Sequence, residues 1–123
     1  MKILIIEDEE ILVKVLQEKF EKDGFTVEIA IDGSNALSLA KSFKPDIMLL
    51  DIILPVKDGL DLLEEFKLDL ELQNIPVIIL SNLGDDEKIK KALKLGAIDY
   101  LVKTQHPINE VVEKVKNILL ESK

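Results

Sequence analysis

The stretch IMLLDIILPVKDG, residues 47–59, decides how the chain is read. Seven apolar residues flank one carboxylate, Asp51, before Pro55 ends the run. An ionised carboxylate in an apolar segment is costly unless water, a counter-charge or a metal meets it. Residues 46–50 therefore read as a buried strand, with Asp51 at its end.

Four other runs have strand length and β-branched content: KILII (2–6), TVEIA (26–30), PVIIL (76–80) and IDYLV (98–102). Between them lie helical patterns. Leu12, Leu16 and Phe20 repeat at i, i+4, and Ile108, Val111, Val112, Val115, Ile118 and Leu119 form a stripe on the last helix. Gly24 and Gly96 are placed to stop the first and fourth helices, and Asp32-Gly33 and Lys44-Pro45 mark turns.

Five strands alternating with five helices predict an α/β fold built on a parallel sheet with right-handed crossovers. The runs at 2–6, 46–50 and 76–80 are apolar on both faces, as central parallel strands must be. TVEIA carries Glu28 and IDYLV carries Asp99, which puts these two at the edges. The arrangement that satisfies both conditions is flavodoxin-like and doubly wound, with strand order 2-1-3-4-5. Its site lies at the carboxyl ends of the strands.

Composition narrows the function. The chain of 123 residues is expected to form one domain over 1–123, with 47% hydrophobic and 33% charged residues. A net charge of -8 opposes direct nucleic-acid binding. No apolar run approaches the roughly 20 residues of a membrane span, and the acidic turn at residues 7–10 comes too early for a signal peptide, so a cytoplasmic protein is expected. With no cysteine, thiolate chemistry is excluded. All sixteen basic residues are Lys, so phosphate would have to be met by ammonium, backbone amides or a metal. The single His106, before Pro107, reads as a loop residue at a helix start. Lys88, Lys90, Lys91 and Lys94 read as a solvated helix face.

The predicted topology gathers Glu7, Asp8, Asp51, Ser81 and Lys103 at one rim. Singly, each has an ordinary use: the acids could favour a helix N-terminus, and Lys103 could be a solvated charge. Together the carboxylates repel one another and call for a cation among Glu7, Asp8 and Asp51. Oxygen-only ligands with retained waters suit Mg²⁺ best. With Lys103 and Ser81 beside it, the rim is fitted to a phosphoryl group. Asp51 would be the nucleophile, forming an aspartyl phosphate, with Lys103 neutralising charge and Ser81 donating a hydrogen bond.

IIEDEE (5–10), LLDIILPVKDG (49–59), PVIILSN (76–82) and GAIDYLVK (96–103) resemble the receiver domain of bacterial two-component response regulators, in the single-domain form similar to the chemotaxis regulator. The resemblance implies that Asp51 is the phosphoacceptor and that Glu7 and Asp8 hold Mg²⁺ together with Asp51 and the backbone carbonyl of Ile53. It implies that Ser81 and Tyr100 form the switch and that Lys103 pairs with the phosphoryl group. The donor would be a phosphohistidine of a sensor histidine kinase or phosphotransfer protein, or a small phosphodonor. Phosphorylation would alter the face of the fourth helix, fifth strand and fifth helix for a downstream protein target, with a homodimer through that face as a further option. Such a chain is a signalling phosphoacceptor that assists its own phosphorylation and dephosphorylation rather than an enzyme.

Several positions bear on the family pattern. Thr104 stands where the family usually has a cis-joined proline, and a cis bond to another residue costs about 2.5–4 kcal/mol. Asn82 replaces a small residue, and apolar Ile53 and Leu83 suggest a long-lived aspartyl phosphate. Other readings are a degenerate receiver serving as an interaction module, a flavin-binding domain, which the acids after the first strand oppose, and a small-molecule phosphatase, for which the chain leaves no room for a cap.

Overall fold

The computed structural model describes residues 1–121; the last two residues of the expected 1–123 unit lie outside the described residues. Along the chain come β1 (Lys2–Ile6), α1 (Glu10–Lys22), β2 (Thr26–Ala30), α2 (Ala36–Phe43), β3 (Ile47–Leu50), α3 (Gly59–Leu68), β4 (Val77–Ser81), α4 (Asp86–Lys94), β5 (Asp99–Val102) and α5 (Ile108–Glu121). The strands form one parallel sheet in the order β2-β1-β3-β4-β5, as predicted. Among the described residues no helix is long and apolar enough to cross a membrane.

The two-residue period of the central strands divides the core into two layers. Leu4, Ile6, Met48, Leu50, Val77 and Ile79 face α2, α3 and α4, where Ala40, Leu63, Phe66 and Ala92 are buried. Ile3, Ile5, Ile47, Leu49, Ile78 and Leu80 face α1 and α5, meeting Leu16, Phe20, Val111, Val115 and Leu119. Each central strand is thus covered on both sides, whereas Glu28 of edge strand β2 is exposed.

Strand ends shift by one residue for identifiable reasons. Pro76 has no N–H to give the ladder, so β4 starts at Val77, although the Pro76 carbonyl still accepts from Met48. Asp46 lies before β3, where its carboxylate accepts from the Lys2 amide at 2.7 Å. At the other end β4 continues to Ser81, which pairs with Val102. Gly24 and Gly96 end their helices at φ 92° and 112°, and His106 lies in the loop before α5.

Asp58-Gly59 starts α3 against the β3 exit. The Asp58 side chain caps the helix by accepting from the Leu60 amide at 2.7 Å. A Cβ at Gly59 would overlap the Asp51 carbonyl oxygen and Ile52 Cα, so only glycine lets the helix approach this closely. The loop after Asp51 is thereby pinned beneath α3.

Candidate phosphoacceptor site

Glu7 and Asp51 are the residues that immediately follow adjacent strands β1 and β3. Ladder-type bonds hold both backbones: the Glu7 amide donates to the Ala30 carbonyl and the Asp51 amide to the Ile6 carbonyl, each at 3.0 Å. Both side chains are buried. Asp8 is exposed, yet Glu7, Asp8 and Asp51 each offer an oxygen within 4.8 Å of the others.

Lys103 arrives from the end of β5, its amide donating to the Ser81 carbonyl at 2.8 Å. Its ammonium lies 2.7 Å from Glu7 Oε1, 3.0 Å from Asp51 Oδ2 and 3.4 Å from Glu9 Oε2. The remaining Glu7 oxygen accepts from the amides of Asp8 and Glu9, and Asp51 Oδ1 accepts from the Ile53 amide at 3.1 Å. The Lys103–Thr104 peptide is trans, like every other peptide among the described residues. Lys103 reaches both carboxylates in this arrangement.

Burial drives the Glu7 carboxyl up to about 7, aided by the Asp51 charge and opposed by the Lys103 contact and the Glu9 amide. Burial also works against the charge on Lys103, but its bonds to Glu7 and Asp51 prevail and raise its pKa. One ammonium among these carboxylates leaves the site short of positive charge. Oxygen donors this close, unbalanced by cationic side chains, fit a hard divalent cation; Glu7, Asp8 and Asp51 are the residues able to hold it.

Ser81, wholly buried at the end of β4, accepts from the Leu83 amide at 3.3 Å. Tyr100 is buried on β5, with its hydroxyl donating to the Leu83 carbonyl at 2.5 Å. Burial raises the phenol pKa, partly offset by the nearby Ser81 hydroxyl. The sequence-predicted residues are therefore brought together: Glu7, Asp8, Asp51 and Lys103 around one point, and Ser81 and Tyr100 linked beside it. Ile53 joins through its backbone, while the residue is 56% exposed. Ile53 and Leu83 line one cleft of about 340 Å³ together with Val56 and Lys88.

Two features escaped sequence reasoning. Glu9 supplies a third carboxylate to Lys103, but EDEE does not say which acids turn inward. Val56 has φ 73° and is 81% exposed; the Lys57 amide donates to the Pro55 carbonyl across it at 2.8 Å, making a γ-turn of the strained, left-handed kind. The same carbonyl accepts from the Gly33 amide at 3.2 Å, tying the β3–α3 loop to the β2–α2 loop. A valine gives no sign of this in sequence, since β-branching disfavours the conformation.

The response regulator receiver domain family model matches residues 3–116. The chain belongs to the response regulator receiver domain family. No curated protein sequence matches it significantly. Among solved structures, this receiver is similar to the Francisella response regulator 1452 receiver domain, at 33% identity and TM-score 0.89, covering 99% of this chain and 98% of that one. It is also similar to the BeF3-activated N-terminal receiver domain of Klebsiella pneumoniae RstA, at 28% identity and TM-score 0.89 over 97% and 98% of the two chains. A third similar structure is the Mn²⁺-bound form of the response regulator Rcp1, at 28% identity and TM-score 0.77 over 83% and 80%.

Proposed function

We propose that this receiver is a cytoplasmic phosphoacceptor of a two-component or phosphorelay system, with Asp51 as the acceptor. The observation that carries this reading is the buried Asp51 carboxylate, fixed by the Ile53 amide on one oxygen and the Lys103 ammonium on the other. An oxygen of Asp51 attacks the phosphorus of a histidine-kinase or phosphotransfer-protein phosphohistidine, or of a small phosphodonor. The P–N bond breaks in the first case, and the leaving imidazole takes up a proton. Lys103 then balances charge on the transferred group, and Ser81 donates to one of its oxygens.

Glu7, Asp8, Asp51 and the Ile53 carbonyl would hold Mg²⁺, which when bound neutralises phosphoryl charge. That similar receivers include a Mn²⁺-bound form of Rcp1 and a BeF3-activated RstA domain supports reading the Glu7, Asp8 and Asp51 cluster as a cation site. Output follows from the Ser81–Leu83–Tyr100 linkage: moving Ser81 toward a phosphoryl group disturbs the strand-end turn to which the Tyr100 hydroxyl is tied. That biases the α4–β5–α5 face between partner-binding states, for a downstream protein or a second copy of the chain. Apolar Ile53 and Leu83 disfavour an attacking water, so the phosphorylated form is expected to be long-lived and Ile53→Asn to shorten its lifetime.

The test is incubation with phosphodonor and Mg²⁺, followed by intact-mass measurement. The wild-type chain should gain one phosphoryl group that Asp51→Asn and a chelator each abolish. Labelling that survives Asp51→Asn would assign the acceptor elsewhere, and no labelling would make the chain a phosphorylation-independent interaction module.

A further inference from the structure

Glu9 sits at the N-cap position of α1, yet its side chain makes no capping hydrogen bond. Short acceptors such as Asp, Asn or Ser serve that position best. The longer Glu9 side chain instead reaches Lys103 at 3.4 Å, its own amide being held by Glu7 Oε2 at 3.0 Å. This ion pair is longer than the two buried ones, and its carboxylate end is half exposed. As a stabilising contact it is therefore weak.

Its placement matters more than its strength. Glu9, Asn82, Lys103 and Thr104 line a cleft of about 310 Å³ with an apolar floor that includes Leu12 and Leu80. The Lys103 ammonium that Glu9 meets is the one that lies 3.0 Å from Asp51 Oδ2, so the Glu9 carboxylate stands within one ion pair of the acceptor. Lys103 is already offset by Asp51 and Glu7, so the charge of Glu9 adds negative potential beside the acceptor. Clefts walled by apolar side chains focus such a field on whatever enters.

We propose that Glu9 is a specificity-determining residue that disfavours free, dianionic acyl phosphates as donors. This rests on Asp51 being the phosphoacceptor. A phosphoryl group delivered on a protein arrives with docking free energy that offsets the repulsion; a free acyl phosphate has none. The side chain thus leaves Asp51 to donors that bind through a partner surface.

Phosphorylation of the full chain by acetyl phosphate, a dianion at neutral pH, and by phosphoramidate, a monoanion, tests this in Mg²⁺ at low and high salt. Glu9→Gln should raise the acetyl phosphate rate about three- to fivefold more than the phosphoramidate rate at low ionic strength. The difference should vanish at about 0.5 M salt, where charges are screened within a few Å. Glu9→Asp, which keeps the charge, should keep the wild-type ratio. An equal change with both donors, or none, overturns the proposal, and an equal loss with both would make Glu9 a positioning residue for Lys103. If neither donor labels wild-type protein at Asp51, the phosphoacceptor reading itself fails.

Discussion

Strand β5 meets an ammonium group at each end. At its start Asp99 pairs with Lys114 of α5 at 2.9 Å, the two side chains 31% and 45% exposed. Beyond its end Lys103 pairs with Glu7 and Asp51 at 2.7 and 3.0 Å, with side-chain exposures of 10% for Lys103 against 3% and 6%. The distances hardly differ, but the surroundings do. The exposed pair is screened by water and contributes little, whereas the buried set cannot lose one partner without stranding the others. What looks like one interaction made twice is a surface contact at one end and a buried cluster of mutually dependent charges at the other.

The sharpest way to break this comparison is Lys103→Met. With its counter-charge removed, the buried Glu7–Asp51 pair should cost on the order of 3 kcal/mol of stability, read by urea unfolding near pH 8. The loss should shrink toward about pH 6, where Glu7 takes up a proton. Unfolding at wild-type urea concentrations would show that burial does not separate the two ends of β5.

A smaller effect is expected from pH itself. Glu7 is raised from 4.5 to about 7 in the folded chain, so folding favours its protonated form. The associated stability is fully present below about pH 4.5 and is lost as pH rises through about 7. Because a metal needs the carboxylates ionised, Mg²⁺ should raise the thermal midpoint more at about pH 8 than at about pH 6. Equal shifts at both values would remove Glu7 from the cation site.

Backbone strain offers a third contrast, local and uncharged. Val56 holds φ 73° with its side chain mostly in water, so Val56→Gly loses little burial and relieves the strained γ-turn. A gain of up to about 1 kcal/mol is expected in chemical unfolding. Smallest of all, Lys114→Met should cost less than about 0.5 kcal/mol despite its close contact with Asp99, and less again in high salt.

Much of the fold was legible because hydrophobic burial leaves a periodic mark. IMLL and VIIL are apolar at every position because α-helices cover both faces of their strands, and TVEIA alternates because it lies at an edge. Asp51, Glu7 and Lys103 could be located at strand ends because an unbalanced charge cannot remain within such runs. Once strand order followed from the edge residues, their convergence followed too.

What remained illegible depends on segments far apart in the chain. The acidic run EDEE contains four carboxylates of similar propensity, and only Lys103, some 94 residues further on from Glu9, selects Glu7 and Glu9 as its partners. Tyr100 reads as a strand aromatic, and its hydroxyl partner is a carbonyl of the β4–α4 loop. Val56 takes a conformation its own side chain disfavours because the flanking loop is held by Gly33 on one side and by the start of α3 on the other. By itself the sequence determined which residues leave the core and at which rim they collect, since burial free energy is read from local pattern. Tertiary structure alone decided which charges face one another, how strongly Glu7 resists ionisation and where the backbone is strained, because these depend on distance and solvent access between segments that only folding brings together.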